Sequence, residues 1–405
     1  MTSPGSSGRV RECLRASTGV IAGRARRDTP VLQFQVPTRV VSGPDALGAL
    51  SALSGRRVLV ITDGFMAAAP LMDQVRDRLG DAVLRVFSDV RPDPDTHAIA
   101  AALGAYLEFG PEALIGLGGG SPIDTAKAVR HMARQRGEEL PAGFIVIPTT
   151  SGTGSEVSSF AVVTDPASRA KVPLTSPDMI ADVAILDPEA VRTCPPGLTA
   201  DSGMDALSHA IEAVVARGHN DLSDALAEKA VRIILRHLPR SWADGDDLEA
   251  RDHLQNAATM AGVAFQNSGL GLVHGISHAI GGSFHVAHGR LNAMIMPHVM
   301  ALNAGDLSAG GTLSGPALRY SRLAAHSGLQ ATTARNLVLA LIRRVVRLRE
   351  TLGMPDRVTG AGVDRGEFTA AVPDLATTAL ADFCSGGNPV VPTHEEVVAI
   401  LRALV

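Results

Sequence analysis

Over roughly the first half of the chain, apolar residues fall in short unbroken runs: RRVLVITDG (56–64), LRVFSDV (84–90), ALIGLGGG (113–120), IVIP (145–148) and DVAILDPEAV (182–191). Runs of that length bounded by Gly, Pro and Asp read as buried strands. From Val31, VLQFQVPTRVVSG reads as a further strand pair with Pro and Gly at its turns. Helix-period segments occupy about 66–80 and 95–110 between the runs, and strands alternating with helices predict βαβ units and a mostly parallel sheet. The break Pro195-Pro196-Gly197 ends this regime. Beyond it strand patterns almost vanish, and helix-period segments follow at 199–217, 221–240, 247–267, 315–328, 332–353 and 393–404. The pattern predicts an α/β domain over 31–195 and an all-helical domain over 196–405.

Length supports that division, because 405 residues exceed what one hydrophobic core usually serves. A charged fraction of 19% and an apolar fraction of 45% describe an ordinary globular protein, and a net charge of −4 argues against a nucleic-acid or membrane-surface partner. Cys13, Cys194 and Cys384 form no CxxC pair, so neither a disulfide framework nor a thiolate zinc site is indicated. No apolar run is long enough to span a membrane, and the N-terminus lacks a secretory pattern. A cytoplasmic protein is expected. Residues 1–30 open with TSPGSSG and carry Arg9, Arg11, Arg15, Arg24, Arg26 and Arg27, the composition of a disordered leader.

Chemistry gathers at four places. ALIGLGGGSPIDTAKAVR carries a buried strand into three glycines, with Ser121 and Pro122 where an N-cap and first helical residue belong. Bare N–H groups at such a helix start favour a pyrophosphate, though the same residues also suit a tight turn. A second junction, IVIP into TTSGTGSEVS, is dense in hydroxyls and glycines. Asp63, at the carboxyl end of an earlier strand, stands where a dinucleotide-binding sheet places an acid against the adenine ribose, and equally where a turn-forming Asp belongs. Lys171 is either a cofactor contact or an exposed loop residue.

Histidine is the densest signal. Five of the chain's thirteen histidines lie in GLGLVHGISHAIGGSFHVAHGRLNAMIMPH, residues 269–298. His274 and His278 stand four apart and share a helix face, and His288 follows just before a Gly that permits a turn. Asp205 and His209 form a second i, i+4 pair on an otherwise apolar helix, where a carboxylate is costly to bury unless paired or bound to metal. The two pairs point to one site of Asp205, His209, His274 and His288, with His278 left over. One carboxylate and three imidazoles suit Fe(II) or Zn(II).

GGGSPIDTAKAV, PTTSGTGSEV, DSGMDALSHAIEA, the 269–298 stretch and CSGGNPVVPTHEE together resemble the iron-containing (group III) alcohol dehydrogenases over about residues 31–405. The resemblance implies an N-terminal dinucleotide-binding α/β domain, a helical C-terminal domain and a metal in the cleft between them. It implies that Asp205, His209, His274 and His288 hold the metal and that His278 lies beside the nicotinamide on the proton path. It also implies that Gly119, Gly120, Ser121 and Asp124 form the pyrophosphate loop, that Thr149, Thr150, Thr153 and Ser155 form a second nucleotide loop, and that Asp63 binds the ribose. Lys171 and Leu198 match further cofactor contacts. Asp63 favours NAD(H), since an anion there repels a 2′-phosphate, with NADP(H) use left open.

The expected activity is reversible interconversion of a small primary alcohol and its aldehyde, with Fe2+ or Zn2+ as a Lewis acid and hydride exchanged with the nicotinamide. Family members are commonly dimers or larger, so a homo-oligomer, a dimer in the first instance, is what the resemblance implies. Arg290 is either a receptor for an acidic aldehyde bearing a carboxylate or phosphonate, or a surface-paired residue at a helix start. The competing classes are a dehydroquinate-synthase-like lyase, which needs more basic residues than three lysines offer, and a non-catalytic protein keeping an old site.

Overall fold

The computed structural model describes residues 33–164 and 171–405, so the Arg-rich leader lies outside the described residues. The strands are β1 (Arg39–Ser42), β2 (Arg57–Asp63), β3 (Val83–Val90), β4 (Ala113–Gly118), β5 (Gly143–Pro148), β6 (Phe160–Thr164), β7 (Lys171–Thr175) and β8 (Val183–Leu186). Six of them form one all-parallel sheet in the order β1-β8-β5-β4-β2-β3. β4 is buried throughout, and β2 and β5 are buried except at their ends. That is why their apolar runs show no alternation: a parallel sheet is covered on both faces. Val58, Val60, Ile115 and Ile147 pack on one face with Leu50, Met72 and Val75. Leu59, Ile61, Leu114 and Phe144 pack on the other with Tyr106, Ile123 and Val129.

Helices α1 (Gly64–Ala67) and α2 (Pro70–Leu79) follow β2, α3 (Thr96–Phe109) follows β3, and α4 (Gly120–Arg134) follows β4. From β2 the chain steps outward to β3, then returns past β2 to β4. The crevice at the carboxyl ends of β2 and β4 is therefore the switch point at which open α/β sheets take ligands. Asp63 ends one of these strands and Gly118 the other.

Two expectations differ from what is observed here. The strand pair from Val31 reduces, within the described residues, to β1, which pairs in parallel with β8. Upstream of Pro37 the backbone is satisfied by a side chain instead: Gln35 N donates to Asn267 Oδ1 at 2.7 Å, and Asn267 Nδ2 donates to Gln35 O at 3.0 Å. Conversely, β6 and β7 form an antiparallel pair that the strand pattern does not announce. Each is only five residues long.

After Leu186 the chain is helical: α5 (Pro196–Val215), α6 (Asp221–Ala243), α7 (Leu248–Ser268), α8 (Leu272–Phe284), α9 (His288–Ala304), α10 (Gly315–His326), α11 (Ala334–Thr351), α12 (Arg365–Ala381) and α13 (His394–Ala403). From Ala206 to Val215 every residue of α5 is buried, so this is a central helix with neighbours on all sides. α12 is additional to the expected helices. Its interior Pro373 reads as a break, yet Phe368, Val372, Leu375, Ala376 and Ala379 keep a helical stripe facing the core. Among the described residues no helix is long and apolar enough to cross a membrane.

Candidate active site

Gly118 closes β4 at φ +145°, where a Cβ would lie 2.6 Å from Pro122 Cγ, so glycine is required. α4 begins at Gly120 with Gly119 as its N-cap, earlier than the Ser121-Pro122 pattern suggests. No side chain caps this end, which leaves first-turn N–H groups for an anion. The loop after β5 lies across it. Cβ atoms built on Gly119 and Gly120 would sit 3.5 Å from Thr150 Cγ2 and 3.3 Å from Thr153 Cγ2, and Thr149 N donates to Gly118 O at 2.9 Å. Gly119, Gly120, Ser121, Thr149, Thr150 and Thr153 are thus brought together along the rim of the sheet formed by the carboxyl ends of β4 and β5.

Asp124 and Ser155 face inward from that rim. Ser155 Oγ donates to Asp124 Oδ1 at 2.7 Å, and Val162 N donates to Oδ2 at 3.0 Å, so both carboxylate oxygens brace the loop against α4. Beneath them Lys127 is fully buried and donates to Phe160 O at 2.7 Å and Ser158 Oγ at 3.2 Å. Burial pulls this ammonium down to about 8 against the opposing pull of Asp124 and Glu156. Asp63 caps α1, its Oδ1 accepting from Met66 N at 2.8 Å. Leu198 is exposed in the first turn of α5, and the Lys171 side chain lies outside what is described.

The same loop reaches the helices. A Cβ on Gly152 would lie 2.7 Å from Ser202 Cβ in α5, and one on Gly154 would lie 2.6 Å from Gly262 Cα in α7. Thr259 Oγ1 of α7 adds a hydrogen bond to Glu156 Oε1 at 2.6 Å.

Deeper in α5, Asp205 and His209 meet His274 of α8, with ligand atoms of these three all within 4.8 Å of one another, and His288 of α9 joins them through Asp205. Asp205 Oδ1 is 3.7 Å from His209 Nε2, 3.7 Å from His274 Nε2 and 3.4 Å from His288 Nε2. Those separations are close to the edge of about 3.4 Å between donors held about 2.1 Å from a tetrahedral cation. Asn292 Nδ2 sits among the donors, 2.9 Å from Asp205 Oδ1, 3.2 Å from His288 Nε2 and 3.4 Å from His274 Nε2. A carboxylate and three imidazoles without sulfur fit a divalent first-row metal.

Charge in the cluster favours the same reading. Burial opposes ionisation of Asp205, but the imidazoles of His209, His288 and His274 outweigh it and hold the carboxyl well below its usual range. Burial lowers His209 to about 4 and His288 well below the ordinary imidazole value. His274 is also opposed by burial, yet the Glu212 and Asp205 carboxylates raise it to about 9. At neutral pH the site therefore offers an ionised carboxylate and the free-base donors of His209 and His288.

Four further side chains, none of them a candidate from sequence, orient these groups. Glu212 Oε2 is 2.6 Å from His274 Nδ1. Ser277 Oγ is 3.0 Å from His288 Nδ1 and donates to His288 O at 3.3 Å. Asn292 is the amide among the donors. Asp382 Oδ2 is 3.0 Å from Nδ1 of His278, which stays outside the four-donor set with its ring stacked on His288 at 5.2 Å. Helical spacing was the available signal for three of them: Glu212 follows His209 by three, Ser277 follows His274 by three, and Asn292 follows His288 by four.

A chain of apolar rings runs outward from His209. Phe265 is 4.5 Å from the His209 ring, Phe160 is 6.4 Å from Phe265, and Phe383 is 5.8 Å from Phe160, ring centre to ring centre. Arg290 is committed elsewhere: Nε and Nη2 donate to Asp201 Oδ1 and Oδ2 at 3.2 and 3.0 Å, joining the second turn of α5 to the first turn of α9. The turn before His288 is made by His285 at φ +54°, not by Gly289. Gly289 serves close packing, since its Cβ would lie 1.8 Å from Asp201 O.

Both halves of the chain resemble known proteins. The family model for iron-containing alcohol dehydrogenase matches residues 37–188, and that for the C-terminal part of the Fe-containing alcohol dehydrogenase family matches 199–405. The 1-propanol dehydrogenase PduQ of Salmonella typhimurium is 38% identical over 374 residues, covering 92% of this chain and 99% of that protein. The NAD-dependent methanol dehydrogenase of Bacillus methanolicus is 35% identical, covering 91% and 98%. The solved iron-containing alcohol dehydrogenase of Thermococcus thioreducens superposes with a TM-score of 0.82 at 34% identity, covering 92% of this chain and 99% of that one. With both halves matched, the chain belongs to the iron-containing alcohol dehydrogenase family.

Proposed function

We propose that the chain interconverts a small, uncharged primary alcohol and its aldehyde, acting as the metal-dependent, NAD(P)-linked oxidoreductase that its family implies. The observation carrying this reading is the convergence of Asp205, His209, His274 and His288 from three helices, with a nucleotide-type loop packed against one of those helices. These four residues would hold Fe2+, and the same donors suit Zn2+. When bound, the metal supplies a Lewis acid for the substrate oxygen and the nicotinamide supplies the hydride donor or acceptor.

The chain's own groups do the rest. First-turn amides of Gly120 and Ser121, with Thr149, Thr150 and Thr153, hold the pyrophosphate, and Asp63 takes the ribose hydroxyls and disfavours a 2′-phosphate. His278 moves the substrate proton at Nε2 while Asp382 holds Nδ1–H and fixes the tautomer. Phe160, Phe265 and Phe383 shed water around the alkyl chain. We place the boundary between the two halves near residue 195, so that the nucleotide is held by one and the metal by the other.

Arg290 does not favour the acidic-aldehyde alternative, since Asp201 already occupies its donors in bidentate fashion. The lyase alternative loses its ground with membership of a dehydrogenase family. Fe2+-loaded protein given NADH and propionaldehyde should consume the reduced cofactor, and a chelator should stop it. Cofactor left unconsumed with every neutral aldehyde tried would reject the assignment.

A further inference from the structure

We infer that Glu212 is a positioning residue for the metal site, fixing the tautomer and the angle of His274. The inference rests on the proposed four-residue metal set. Glu212 follows Asp205 by seven residues and His209 by three, so all three share one face of α5. Its side chain is buried, and each carboxylate oxygen has a different donor. Oε1 accepts from Val273 N at 2.7 Å, and Oε2 accepts from His274 Nδ1 at 2.6 Å. Val273 lies in the first turn of α8, whose N-cap Gly271 supplies no side-chain bond. A carboxylate there satisfies an open N–H and meets the positive end of the helix. Gly271 leaves the room, since its Cβ would lie 2.9 Å from Glu212 Oε1.

Backbone and ring of the same helix are therefore gripped by one rigid, two-oxygen group. When a metal takes the place of the second imidazolium proton, Nδ1 keeps its proton toward Glu212 and the lone pair of His274 is at Nε2, the atom directed at Asp205. An amide cannot replace the carboxylate. Gln has one acceptor for two donors: if the oxygen meets Val273 N–H, the NH2 meets Nδ1 and drives the proton to Nε2, where it blocks the metal. The opposite orientation leaves two N–H groups facing each other at α8.

The test is Co2+ dissociation from loaded protein, followed with a chromophoric chelator, so the readout is independent of turnover. Glu212→Gln should release Co2+ about 10 to 100 times faster than the parent and alter the visible Co2+ spectrum. A folded Glu212→Gln with the parental rate and spectrum overturns the inference. Asp205→Ala separates the two levels: if it also retains Co2+ like the parent, the metal set itself is wrong. If Glu212→Gln does not fold, the parent still decides. Zn2+-loaded protein labelled with 15N-histidine should show a strongly deshielded, hydrogen-bonded Nδ1 proton on an imidazole whose Nε2 signal shifts when Zn2+ is removed, which sets it apart from His278, and its absence rejects the role.

Discussion

At the scale of single residues, the division of labour among the histidines follows from what each Nδ1 touches. His274 and His288 are turned so that Nε2 faces Asp205, whereas His278 is held by Asp382 outside the donor set. His278→Ala should therefore lower kcat by about 100-fold or more. Its metal content by elemental analysis should stay at the parental value, and loss of metal would show that His278 is a ligand. Arg290→Ala makes a separate test. Because its guanidinium is spent on Asp201, the substitution should change kcat/KM for neutral and acidic aldehydes by the same factor. A loss confined to the acidic ones would restore Arg290 as a substrate receptor.

At the scale of elements, the fold was largely legible where a run was both long and apolar. β2, β4 and β5 are buried on both faces, so nothing in RVLVITD or ALIGLG had to alternate or be polar. β6 and β7 stayed hidden because they are short, and α12 because Pro373 interrupts a helical stripe that tertiary packing sustains. The ligand candidates stood out because imidazoles and an acid on apolar helices are conspicuous. Their supports did not: Ser277, Asn292 and Asp382 are ordinary polar residues until the fold sets them against an imidazole. Asp124 was legible as part of a phosphate loop, but its two oxygens are used to brace that loop. The brace has a cost that can be read. Lys127 is buried with Asp124 and Glu156, and removing it leaves two buried carboxyls without the cation that favours their ionised forms. Lys127→Met should lower unfolding stability by about 3 kcal/mol, seen as a fall in the urea midpoint. An unchanged midpoint would mean that the two carboxylates simply protonate at little expense.

At the scale of the molecule, the proposed metal donors come from α5, α8 and α9, so a cation bound by them would tie α5 to a helix pair far along the chain. A ligand that binds only the folded chain stabilises it in proportion to its occupancy, by about 4 kcal/mol at a thousand times its Kd. Adding Zn2+ to chelator-treated protein should raise Tm, and Asp205→Ala should abolish the rise. An equal rise in Asp205→Ala would place the stabilising metal elsewhere.

The wedge formed by Gly152 and Gly154 carries a last consequence. At these two glycines the loop that borders the anion-binding turn touches Ser202, three residues from Asp205, and Gly262. Because the loop packs directly on α5, a nucleotide that orders the loop is expected to order α5 as well, and occupancy at one end to alter affinity at the other. Such coupling is reciprocal by thermodynamic necessity. NADH should tighten Zn2+ binding by the same factor by which Zn2+ tightens NADH, and bulk at position 152 should uncouple the two while each still binds. Titrations run in both orders measure the factor, and a value of one would mean that the loop and the metal helices act independently.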